Sequence, residues 1–159
     1  MSHQLPARPV GFGGRWIALL AVAALYITSC ATPAIEFAAE RPATDFGDLR
    51  FLPDYEAGPQ LGITALACGW APPWTLPWLA NVALLTGAIF LILRKNRWAL
   101  GSGIVAALLA LSTWALFNYD ERLIRLLVGY YLWQASMLAL IGGAGILAVR
   151  GARGKVEVS

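Results

Sequence analysis

Hydrophobic residues along this chain do not alternate with polar ones at a strand or surface-helix period; they run in four uncharged blocks. These are Trp16 to Ala34, Leu76 to Leu93, Trp98 to Phe117 and Leu126 to Val149. A helix rises about 1.5 Å per residue and a hydrocarbon core is about 30 Å thick, so each block is long enough for one crossing. The pattern predicts an all-α integral membrane four-helix bundle occupying residues 1–159 as a single membrane domain. Its helices fall at about 16–34, 76–93, 98–117 and 126–149, and one long loop, 35–75, joins the first two.

That loop is uneven. Glu36 to Gln60 is acidic, contains Pro42, Pro53 and Pro59, and reads as an irregular exposed segment. From Leu61 to Leu93 no residue is charged, which is too long for one straight crossing and too short for two. Pro72, Pro73 and Pro77 interrupt the run, because proline lacks the amide donor of a helix interior. Leu61 to Trp70 is therefore expected as a short apolar segment in the membrane interface, with a re-entrant hairpin as the alternative.

Charge sets the expected orientation. Arg8, Arg15, Arg94, Lys95, Arg97, Arg150, Arg153 and Lys155 flank the helices on one side, where Glu157 is the one acid. The other side carries Arg41, Arg50, Arg122 and Arg125 among eight acids. Basic residues near helix ends stay in the cytoplasm, so both termini are expected there and the long loop outside. The overall charge of +3 and pI near 9.1 then report topology and imply no nucleic acid partner. Tryptophans fit this frame: Trp16 and Trp98 start helices at the basic face, while Trp70, Trp74, Trp78, Trp114 and the Tyr130, Tyr131, Trp133 group lie toward the other, as an interfacial belt would.

Composition excludes more than it assigns. Hydrophobic residues make up 58% of the chain and charged ones 13%, against about a quarter charged in soluble domains. No ionisable acid, base or histidine lies inside the blocks, where a charge would mark an ion path or catalytic group. The lone histidine, His3, is in the N-terminal tail, so Ser29, Ser102, Ser112 and Ser136 have no base within the spans. No catalytic residue, metal site or cofactor is expected, and the chain is read as non-enzymatic. Asp45, Asp48, Asp54 and Glu56 lack the alternate spacing of an EF-hand loop and read as solvated acids. The halves of the chain do not repeat, which counts against a two-fold transporter.

Polar residues within the blocks, Asn81, Gln134, Thr86, Thr113 and Ser136, suit hydrogen bonds between helices, with Asn81 and Gln134 as candidate polar contacts for a ligand. Small residues recur at three- and four-residue spacing, Gly101, Gly103, Ala107 and Ala110 on helix three and Ala135, Ala139, Gly142 and Gly143 on helix four, and predict close helix packing within the bundle or between protomers. The two cysteines leave three readings open. Cys30 and Cys68 both fall on the side where disulfides persist, and a bridge would close a loop of about 39 residues for about 4 kcal/mol. Two free thiols packed as small hydrophobes are the second reading. The third is lipidation of Cys30, since Ile27-Thr28-Ser29-Cys30 after a basic start and an apolar core is similar to a lipoprotein signal, with isoleucine in place of the usual leucine.

Cys30-Ala31-Thr32-Pro33-Ala34-Ile35-Glu36-Phe37, Trp78-Leu79-Ala80-Asn81 and Gly129-Tyr130-Tyr131-Leu132-Trp133-Gln134-Ala135-Ser136-Met137 resemble the corresponding stretches of uncharacterised small four-helix bacterial inner-membrane proteins. The resemblance implies a multi-pass protein of the bacterial cytoplasmic membrane and carries no activity, ligand or catalytic residue. Two function classes follow: an interaction, scaffold or accessory subunit whose partners are membrane lipids and another membrane protein or a second copy, and, as the alternative, an oligomeric channel or small-solute transporter.

Overall fold

The computed structural model describes residues 12–37, 58–70, 75–116 and 123–156. In chain order the elements are α1 (Phe12–Ala31), β1 (Pro33–Phe37), β2 (Gly58–Leu61), α2 (Gly62–Cys68), α3 (Thr75–Ile92), α4 (Asn96–Leu116), β3 (Leu123–Leu126) and α5 (Val128–Val156). The fold is mostly helical, and α1, α3, α4 and α5 are each long and apolar enough to cross a membrane. Their outward faces are as greasy as their inward ones: Ile17, Leu20, Leu85, Leu108 and Leu138 are all more than 60% exposed. A helix apolar all round suits lipid, not water.

The four long helices run up and down. α1 packs along α5, α5 along α4 and α4 along α3, while α1 meets α3 only lightly. The axis is filled by Ala80, Leu91, Ala99, Ala106, Ala110, Met137, Leu140 and Ala144, each with no exposed surface. Glycine permits the closest approaches: a Cβ on Gly87 would meet Leu140 at 2.6 Å, one on Gly103 would meet Ile141 at 2.9 Å, and one on Gly143 would meet Ala18 at 2.6 Å. The small-residue stripes are thus used in part. Gly103, Ala110 and Gly143 sit at contacts within the bundle, whereas Gly101 and Gly142 face open space.

The turn between α3 and α4 is short, Leu93 to Lys95. Lys95 N–H reaches Phe90 O at 2.9 Å and Arg94 N–H reaches Leu91 O at 3.2 Å, the paired bonds of a Schellman cap. Arg94 holds the left-handed position of that cap, φ 63°, where glycine is usual. Lys95 O then accepts Ala99 N–H to begin α4.

At the other end of the bundle the all-α expectation needs correction. β1 lies between β2 and β3 in an antiparallel sheet of order β2-β1-β3. α1 stops at Ala31 and not at Ala34, because Pro33 disfavours helical backbone at Thr32 and cannot donate to the preceding turn. The freed strand alternates: Ile35 and Phe37 point into a small apolar cluster with Leu123, Leu126 and Tyr130, and Glu36 points out. Glu36 stands opposite Arg125 in register, and the two form an ion pair at 2.5 Å. Leu126, expected in the fourth helix, belongs to β3, and α5 starts at Val128 and continues past the expected Val149.

The long loop is accordingly structured at both of its acidic segment's ends, Glu36–Phe37 in β1 and Gly58–Gln60 in β2; Pro59 is accommodated because β2 is an edge strand. Leu61 to Trp70 contributes the end of β2, the short helix α2 and a turn, and α2 rests on α1 and β1. Asp45, Asp48, Asp54 and Glu56, the remaining acids of the loop, His3, Trp74, Pro72 and Pro73 lie outside the described residues.

Candidate functional site

The sheet, α2 and the near ends of α1, α3, α4 and α5 enclose a cavity of about 90 Å³. Each element brings one to three side chains: Tyr26, Ser29 and Cys30 from α1, Ile35 and Phe37 from β1, Ala65 and Leu66 from α2, Trp78 and Asn81 from α3, Thr113 from α4, Tyr130 and Trp133 from α5. Among the described residues, none that lines it carries a formal charge. The space is an apolar, aromatic-walled chamber with a few neutral polar groups, the usual make-up of a small-molecule site.

Asn81 organises it. Its Oδ1 accepts a hydrogen bond from Trp133 Nε1 at 2.8 Å and another from the Tyr26 hydroxyl at 3.2 Å, and its Nδ2 donates to Trp78 O at 3.2 Å. The indole N–H can only donate, so the atom facing it must be the amide oxygen. One side chain thereby ties α1, α3 and α5 together where α1 and α3 otherwise barely touch. Trp78 extends the network by donating from Nε1 to Leu66 O at 3.0 Å, which fixes α2 to the bundle. Tyr130 is buried and donates to Ala110 O on α4 at 3.3 Å while accepting from Gln134 Nε2 at 2.8 Å.

Backbone crowding positions the α1–α5 junction. Gly129, at the start of α5, sits where a Cβ would lie 2.8 Å from both Thr32 O and Pro33 O. Gly62, at the start of α2, would likewise meet Ser29 O, and its N–H donates to Thr32 O at 3.0 Å. Helix ends thus pack against the exit of α1 backbone to backbone, and the chamber forms just beneath them.

The sequence-derived candidates separate here. Asn81 lines the cavity and holds its network; Gln134 does not line it and acts through Tyr130. Cys30 lines the cavity, Cys68 at the end of α2 does not, and both are free thiols of intermediate exposure. Of the polar residues expected to bond between helices, Asn81 does so; Thr86 and Ser136 bond to carbonyls of their own helices, whereas Ser102, assigned no such bond from sequence, bonds across to Ala83 O at 2.7 Å.

The aromatic group also divides. Trp16, Trp70, Trp98, Trp114 and Tyr131 are exposed as belt residues are, but Trp78, Tyr130 and Trp133 turn inward and build the chamber. Tyr26 and Thr113 complete it without having been singled out as ligand contacts. Among the described residues no group of His, Cys, Asp or Glu is arranged to hold a metal ion. No protein-family model matches the chain, and neither a curated protein nor a solved structure matches it.

Proposed function

We propose that this is a multi-pass protein of the bacterial cytoplasmic membrane that binds rather than transforms, an accessory or scaffold subunit whose working part is the capped end. In this reading both termini are cytoplasmic and the cap, made of the sheet and α2, stands on the outer side. The observation that carries it is the contrast along the bundle axis. Leu91, Ala99, Ala106, Met137, Leu140 and Ala144 are buried to zero exposure, a packed seam along the bundle, while the capped end is built around a chamber. The lining supplies neutral hydrogen-bonding groups and aromatic faces, the equipment of recognition, and among the described residues its thiol and hydroxyls have no charged base beside them in the wall.

Reconstitution tests the reading. Purified protein in liposomes should leave potassium and glycerol permeability at the empty-vesicle rate, and native mass spectrometry of the complex extracted from its own membrane should show a second protein in fixed stoichiometry. A ring of identical copies that raises solute flux would replace this reading with the transport one. A fluorescent reporter fused to the C-terminus that matures only in the cytoplasm should be bright, and a dark fusion would invert the topology.

A further inference from the structure

Thr113 presents an anomaly inside the chamber. It is only 2% exposed, and its Oγ1 makes no hydrogen bond of acceptable geometry. A threonine within a helix ordinarily directs its hydroxyl to the carbonyl three or four residues back. Both are already engaged: Leu109 O accepts from Ser112 Oγ at 2.5 Å, and Ala110 O accepts from the Tyr130 hydroxyl at 3.3 Å. The Tyr130 oxygen spends its own proton on Ala110 and accepts from Gln134, and the Thr113 hydroxyl lies beside its remaining lone pair without the geometry of a hydrogen bond. Ser112 and, from α5, Tyr130 therefore occupy the carbonyls Thr113 would use and leave a buried hydroxyl in the cavity wall. Asn81, in the same wall, uses one of its two amide hydrogens on Trp78 O and has the other available.

We infer that the chamber is a binding site for an uncharged, narrow amphiphile, an alkyl-chain alcohol or ketone, whose oxygen is hydrogen-bonded by Thr113 and Asn81. Among the described residues the wall offers no counter-ion for an anion or cation, which disfavours a charged ligand. The volume limits the occupant: 90 Å³ is less than the roughly 150 Å³ cavity that takes a benzene ring. A chain end fits, with the rest of a longer molecule leaving through the mouth, whereas a ring requires the walls to part. The remaining contact is apolar, against Phe37 and Trp133. This inference concerns the chamber alone and stands apart from the accessory-subunit reading.

The test uses the full chain in phosphatidylcholine nanodiscs, with 1-decanol, 2-decanone and decane at equal membrane mole fraction, and reads N-ethylmaleimide labelling of Cys30 and Cys68 separately by peptide mass spectrometry. Cys30 lines the chamber and Cys68 does not, so the second thiol reports any general effect of the additive. Decanol and decanone should slow labelling of Cys30 severalfold with Cys68 unchanged, and decane should do neither. Thr113→Val, which keeps the shape and removes the stranded hydroxyl, should leave the thermal midpoint unchanged or higher without ligand, and weaken decanol protection about fivefold, the loss of one neutral hydrogen bond. Equal protection by decane, equal slowing at both cysteines, full protection in Thr113→Val, or no protection at all, the last meaning a chamber that holds water only, would each overturn the inference. Should the variant fail to fold, the contrast between decanol and decane in the unaltered chain decides it.

Discussion

The two buried clusters of this protein solve different problems. In the bundle, Ala99, Ala106, Ala110, Ala144 and three glycines at contact points set how closely four helices pack, and a helix pairs its backbone within itself. Lipid is as apolar as leucine, so little is gained by hiding a side chain there, and shape decides. In the cap, the cluster is Ile35, Phe37, Leu123, Leu126 and Tyr130, and the chain has left the helical register. Its amides need partners from elsewhere, and they find them across a sheet whose central strand draws on both halves of the sequence. Small residues specify the bundle; paired polar groups specify the cap.

The sharpest way to break that contrast is at the junction. Gly129→Val would drive a side chain into the carbonyls of Thr32, Pro33 and Ser29, none of which can rotate away. More than about 3 kcal/mol should be lost, seen as a collapsed thermal midpoint and loss of the monodisperse gel-filtration peak. Gly142→Val, facing open space, should leave both unchanged. Leu140→Ala opens a hole in the bundle axis and should cost about 2 to 5 kcal/mol, while decanol protection of Cys30 persists in the folded fraction. A variant that lost stability and protection together would show that bundle and cap are one cooperative unit.

Asn81→Leu separates the regions from the other side. A single bond between membrane helices averages only about 0.6 kcal/mol, but this change leaves two donors, the Trp133 indole and the Tyr26 hydroxyl, without their acceptor. The expected loss is about 2 kcal/mol, accompanied by a shift in tryptophan emission, and equal stability would mean that water replaces the amide. Smallest of all is Glu36→Gln. The Arg125 side chain is 66% exposed in its ion pair, so less than about 1 kcal/mol should change, and the difference should shrink in high salt.

How far the sequence announced this architecture follows the same division. The second and third spans were expected at 76–93 and 98–117 and are Thr75–Ile92 and Asn96–Leu116, because an uncharged run bounded by proline on one side and Arg-Lys-Asn-Arg on the other has few ways to be placed. The end of α1 was legible only through Pro33. The sheet was not, since strands of four or five residues carry no periodicity worth reading and Glu36 finds Arg125 89 residues away. Ile35-Glu36-Phe37 and Leu123 to Leu126 hold the hint, opposite charges flanked by aliphatic and aromatic residues, but nothing local says that they meet.

The chamber was half visible. Asn81 drew notice as a polar side chain in an apolar span, and it proved to be the hub of the network. Trp78, Tyr130 and Trp133 were indistinguishable from belt aromatics, because a helix apolar on every face gives no sign of which face is inward. Thr113 could be recognised only once Ser112 and Tyr130 were seen to occupy the carbonyls it would have used.

The pairing of β1 with β3 also sets a schedule. A ribosome adding roughly 5 to 20 residues per second needs roughly 4 to 18 s to pass from Glu36 to Arg125, the partners that close the sheet. Through that interval α1 can already be in place with its exit strand waiting for a neighbour. Translation must reach the start of α5 before the chamber can close, so a formed chamber is itself a record that synthesis has passed Trp133.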